Sequence, residues 1–426
     1  MNTRSWLILV LCLCAPALSV KGADWPQWRG PNRTDVSTET GLLKSWPQNG
    51  PPLVWTFTNS GVGYSGPAIV GDRLFTMGAR GETEYVFALD THAGKELWAT
   101  KVGPLFSEKR GDGPRCTPTI DGDRLYALGA KGDLVCLETE TGKPVWKINL
   151  QKDLGGKVMS TWGYTESPLV DGNKVICTPG GAQGTLAALD KNTGKVLWRS
   201  TGLKELASYS SMVLAEIGGV QQYVQVTATG AAGVASADGR LLWKYVKDGF
   251  RVAVIPTPIV RDNYVYITSG YGAGCDLIKL TPAEKGFKAE KVYANKNMVN
   301  HHGGVILVGD DLFGYSESER AWVCQDFKSG NIVWEEKQKL KKGSVTCADG
   351  HFYCYSEDNG TVVLVQASPD GWKEGGRFKV PQESSLRKPD GRFWTHPVVA
   401  NGHLYLRDQD LIFCFDVRDR AASAHR

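Results

Sequence analysis

Short runs in which apolar and polar residues alternate recur throughout the chain, and Arg124-Leu-Tyr-Ala-Leu128 is typical of them. That pattern predicts short strands with one buried face, bounded by turns. Three stretches align directly: Ser65 to Trp98, Cys116 to Trp146 and Ser167 to Trp198. Each begins with a small residue and Pro and passes through a turn at Gly71-Asp72, Gly122-Asp123 or Gly172-Asn173, where Gly supplies a positive φ. An alternating strand follows, then a third strand ending near Leu-Asp, a Gly-Lys turn and a fourth strand carrying Trp. The unit is four antiparallel strands, repeated every 45 to 50 residues or so.

Fainter copies run from Ser210 to Trp243, Thr257 to Tyr293, His302 to Trp334 and Ser344 to Val380. The Thr257 copy lacks the Gly-Lys-Trp ending. An eighth copy, Thr395 to Val417, has only three strands. Its missing strand is predicted at the other end of the chain, in Pro52-Leu-Val-Trp-Thr-Phe57, with Trp55 in the Trp slot. Such closure removes the open sheet edges that a ring of blades would otherwise expose. The expected fold is therefore all-β: an eight-bladed β-propeller with a funnel on its axis. The blade Trp residues fit as packing between neighbouring blades, each burying roughly 150–250 Å². Cys136, Cys324 and Cys414 fall in the third-strand slot held by Ala88 and Ala188 in sister copies, which suits small buried thiols better than disulfides.

Composition adds three constraints. Glycine makes up 50 of 426 residues, and 14 Trp accompany only 5 Met, as expected for many tight turns and aromatic strands. The net charge of +4 is too balanced for a nucleic-acid footprint, so no nucleic-acid partner is expected. Residues 1–23 read as an export signal: Arg4 precedes an apolar run from Trp6 to Ala15, Pro16 breaks it, and a cleavage site follows near Ser19 or Ala23. Cys12 and Cys14 each follow Leu, unlike a lipoprotein signal. No later stretch is long and apolar enough for a membrane helix. The expectation is a periplasmic or secreted monomer comprising a 24–50 extension, a 51–420 propeller and a 421–426 tail. The Lys337–Lys342 cluster reads as a solvated turn, and Gly270–Gly274 lies within a blade, not before a helix.

The repeat motifs resemble the PQQ-like β-propeller family, shared by quinoprotein alcohol dehydrogenases and BamB. Asp24-Trp-Pro-Gln-Trp-Arg-Gly-Pro-Asn32 and Trp162-Gly-Tyr-Thr-Glu-Ser-Pro168 are similar to an exported bacterial subset described only as PQQ-binding-like. The resemblance implies the fold; the repeat encodes blade packing and leaves the chemistry open. In such a ring the residues just upstream of each innermost strand surround the channel mouth. The candidate ligand-binding residues are Tyr64, Arg115, Trp162, Tyr164, Glu166, Tyr209, Arg251, Asn300, His301, His302, Trp394 and His396.

The resemblance points to three functions. One is a non-catalytic scaffold or ligand-binding module, BamB-like in architecture, whose rim takes protein partners or whose mouth takes a small ligand or glycan. The second is a PQQ-dependent oxidoreductase. That would place quinone carboxylates on Arg115, Thr165 and Ser167, and Ca²⁺ on Glu166 and Asn300. The third is a propeller that binds or processes polysaccharide, with Trp162, Tyr164 and Trp394 on sugar faces. No two cysteines are adjacent, unlike the quinoproteins, and no Asp is placed as a base. These departures favour the first reading, with no catalytic residue and no metal.

Overall fold

The computed structural model describes residues 23–420; the stretch read as an export signal and the 421–426 tail lie almost wholly outside the described residues. Every regular element among the described residues is a strand, and the strands form eight sheets. Blades 1 to 7 run over 68–104, 119–149, 169–199, 213–246, 259–295, 305–336 and 343–379, each an antiparallel meander in chain order. Blade 8 comprises Val398–Ala400, His403–Asp408 and Leu411–Asp416, completed by Leu53–Phe57. Trp55 pairs with Cys414 and Leu53 with Phe415, so the earliest strand of the ring closes its last blade.

The repeated motif is a wedge between blades. In the outer strands Trp98, Trp146, Trp198, Trp334 and Trp55 lie opposite Ala88, Cys136, Ala188, Cys324 and Cys414. A small residue there leaves room for the indole ring. A one-residue bulge precedes each of these Trp residues and turns the aromatic face toward the next blade. Trp55, Trp98 and Trp146 donate from Nε1 to carbonyls of the following blade: Thr91 at 2.7 Å, Thr139 at 3.2 Å and Lys191 at 2.9 Å. The Gly-Lys turn has Gly at this point for a second reason. A Cβ on Gly142 would stand 2.5 Å from the Trp98 ring, and φ there is +69°. Where the motif lapses in blade 5, Tyr293 does the same work and donates to Phe327 O at 3.1 Å. The eight described cysteines are buried, unpaired thiols.

The axial funnel is not open. Residues 25–37 run into it and meet the blades in turn. Trp25 exchanges backbone hydrogen bonds with Ile69 of blade 1, and Pro26 O accepts from Ile120 of blade 2 at 2.8 Å. Arg33 donates to Pro168 O at 2.5 Å and Met212 O at 2.8 Å, joining the approaches to blades 3 and 4. Trp28 Nε1 reaches Thr257 Oγ1 at 2.9 Å, and Arg29 reaches Val305 O at 2.6 Å. Val36–Ser37 then adds a parallel fifth strand inside blade 7. Asp35 holds Arg29 at 3.0 Å and His396, before blade 8, at 3.3 Å. The extension is the hub of the wheel.

Candidate functional site

With the hub in place, one mouth of the channel becomes a blind cup of about 350 Å³. Its floor is Trp28, packed against His396 with ring centroids 4.7 Å apart. The loops before the innermost strands build its wall, because they join the outer strand of one blade to the inner strand of the next. On one side a row of rings runs without a break. Tyr271 packs on His301 at 4.7 Å, His301 stacks on His302 at 3.8 Å, His302 stacks on Trp394 at 4.9 Å, and Trp394 meets Tyr64 at 5.2 Å. Trp162 and Tyr209, 5.5 Å apart, form a second aromatic face. Apart from the two stacked contacts made by His302, these rings are tilted or edge-on, at 47° to 68°. The result is a bowl, not a parallel-walled slot.

The polar groups of the cup are mostly paired with one another. Lys342 lies 2.8 Å from Glu317 and 3.4 Å from Glu357. Burial opposes ionisation of Glu317, yet hydrogen bonds from His301 and Lys342 hold it at about 2. Burial raises the Glu357 carboxyl despite Lys342. Burial also lowers His301, and it lowers His302 well below the ordinary range, aided by His301, Lys342, His396 and Arg110. Both imidazoles are therefore neutral at pH 7. Tyr64 is pushed up to about 12 by burial and stays a phenol, donating to Arg110 O at 3.2 Å. Arg115 spends its guanidinium on Gly111 O and Gly113 O and lies 4.6 Å over Phe106.

Eight of the twelve sequence-selected residues line this cup: Tyr64, Arg115, Trp162, Tyr209, His301, His302, Trp394 and His396. Four lie elsewhere. Tyr164 and Glu166 alternate with Thr165, which does face the cup, so their side chains turn into the body of the ring. Tyr164 donates to Pro179 O at 2.9 Å. Glu166 accepts from the Thr178 amide beside Arg33, and burial raises it to about 7. Asn300 is buried and donates to Gly304 O and Tyr315 O. Arg251 is exposed, outside the cup.

The cup also recruits Trp28, Glu108, Arg110, Thr165, Lys342, Glu357, Asp390 and Arg392. Lys342 corrects the reading of its cluster: Lys337 pairs at the surface with Glu335, whereas Lys342 points inward. Trp28 lies in the quoted opening motif, but nothing local says that this segment enters the ring.

The residues named for a Ca²⁺ site do not assemble one. Glu166 and Asn300 are engaged outside the cup, and among the described residues no three His, Cys, Asp or Glu side chains are grouped to hold a metal.

A family model described as "Outer membrane protein assembly factor BamB" matches residues 82–336. BamB of Moranella endobia (strain PCIT) is 25% identical over 356 residues, covering 74% of this chain and 82% of that protein. The polyvinylalcohol dehydrogenase of Sphingopyxis sp. (strain 113P3) is 28% identical over 164 residues, 34% of this chain. The quinohemoprotein alcohol dehydrogenase ADH IIB of Pseudomonas putida is 30% identical over 123 residues, 27% of this chain. The matches span only 23% and 17% of those two enzymes. Among solved structures, BamB from Moraxella catarrhalis superposes with a TM-score of 0.58 at 16% identity, covering 85% of this chain and 97% of that one. Quinohemoprotein alcohol dehydrogenase from Comamonas testosteroni gives 0.62 at 13%, covering 93% and 81%. At such identities these two likenesses show the fold alone.

Proposed function

Because this chain belongs to the family of the outer membrane protein assembly factor BamB, we propose that it is an exported, non-catalytic propeller, a BamB-like scaffold that also holds a ring-bearing ligand in its cup. One observation carries this reading: the cup is walled by tilted aromatic faces, and its carboxylates are already committed. Glu357 faces Lys342, Asp390 faces Lys109 at 3.5 Å, and Glu108 accepts from the Arg110 amide at 2.8 Å. A concave apolar site with a few convergent polar groups suits binding. A general base needs a carboxylate or imidazole aimed at a reacting proton. Export rests on residues 1–23, and no helix among the described residues is long and apolar enough to cross a membrane.

The dehydrogenase relatives favour a second reading, in which a PQQ carboxylate would meet Arg110 and the quinone would supply two-electron oxidation. Titration of the purified protein with PQQ and Ca²⁺ in a dye-linked alcohol oxidation assay separates the two. No turnover, together with quenching of tryptophan fluorescence by a bound ligand, is the expected result. Sustained turnover overturns the binding-only reading.

A further inference from the structure

Arg110 is the unspent charge of the cup. Its guanidinium makes no ion pair or hydrogen bond among the described residues and stands 5.9 Å over the Trp162 ring. Arg115, by contrast, gives two nitrogens to backbone carbonyls, and Arg392 gives one to Gly391 O at 2.9 Å and lies 4.0 Å from Asp358. Arg110 also faces inward, among the residues that line the cup.

From this arrangement we infer that the cup takes the acidic end of a sugar chain, a hexuronic acid ring whose carboxylate pairs with Arg110. The inference rests on the ligand-binding reading above and supplies its ligand class. Two features select that class. A carboxylate is the natural partner of an unpaired guanidinium, which offers it two parallel N–H donors. The apolar C–H face of a puckered ring packs on one tilted indole, here Trp162, whereas a flat aromatic ligand is best held between two parallel faces, which this bowl lacks. The floor of Trp28 and His396 closes the channel, so a chain cannot thread through and only its end enters.

The test is calorimetric titration of the purified protein with trigalacturonate and trimannuronate, with their methyl esters, which keep the shape and lose the charge, and with PQQ. At least one acid trimer is expected to bind, with its ester about tenfold weaker or more. Arg110→Gln should erase that difference, and Trp162→Ala should weaken acid and ester together. Arg110 is exposed, so the variant should keep the wild-type melting temperature. If neither acid binds at millimolar concentration, or if PQQ alone binds through Arg110, the acidic-sugar inference falls. If acid and ester bind equally and Trp162→Ala weakens both, the cup still binds ligand but the charge argument fails. If both variants bind like the wild type, the cup reading itself fails.

Discussion

The two halves of the axial channel use arginine in opposite ways. In the lower half Arg29 and Arg33 are buried to 2% and 4% exposure. Arg33 has hydrogen bonds to Gln27, Ser167, Pro168 and Met212, and Arg29 has an ion pair with Asp35. In the upper half Arg110 is exposed and unpaired beside Trp162. A buried guanidinium is tolerable only when its donors are satisfied, and then it acts as a structural bolt. A guanidinium left open to solvent beside an aromatic face costs little and remains available. The same residue type holds the hub in one half and waits for an anion in the other.

The sharpest way to break this contrast is Arg33→Ala, which strands several buried carbonyls. It should destabilise the fold by about 3–5 kcal/mol in urea unfolding; a loss below 1 kcal/mol would mean that the hub is not a bolt. Glu166, beside Arg33, gives a pH signature. Its folded carboxyl titrates at about 7, above the unfolded value near 4.5, so the stability it contributes is complete below about pH 4.5 and is lost as pH rises through 7. The stability of the wild type relative to Glu166→Gln should fall by roughly 3 kcal/mol between pH 4.5 and 8. A flat difference would place an ionised carboxylate there. In the cup, Trp162→Ala removes a ring that is only partly buried and should cost about 1–2 kcal/mol, while abolishing most ligand-induced fluorescence change. Smallest of all, Arg110→Ala should shift stability by less than about 0.5 kcal/mol, measurable as an unchanged urea midpoint.

The ring was legible in the sequence because its parts are local and repeated. A Gly-Lys turn, a Trp seven or fewer residues from it and a small residue opposite form a unit that can be recognised in isolation, and the slot shared by Cys136, Cys324 and Cys414 with Ala88 and Ala188 followed from alignment alone. Loop geometry explains the divided outcome at the mouth. Position upstream of an inner strand brings a residue to the rim, but the course of the loop decides whether it faces the cup: Trp162 and Thr165 do, while past Gly163, where φ is +71°, Tyr164 and Glu166 turn to Pro179 O and the Thr178 amide. The hub was illegible for a different reason. Arg29 and Arg33 bind backbone carbonyls of Val305 and Met212, and a carbonyl carries no sequence signature. Lys342 was hidden by its company, since its lysine neighbours do lie at the surface.

The hub also dictates how the molecule is made. Residues 25–37 and Leu53–Phe57 leave the ribosome ahead of almost every partner they bind, and the pairing of Trp55 with Cys414 waits for nearly the whole chain. Ring closure is thus a late event of very high contact order, and such events are slow. Until blade 8 has formed, the first strand remains an unsatisfied edge, open to pairing with other chains. A molecular chaperone that shelters this one strand would protect the nascent protein more than one acting on any blade in between.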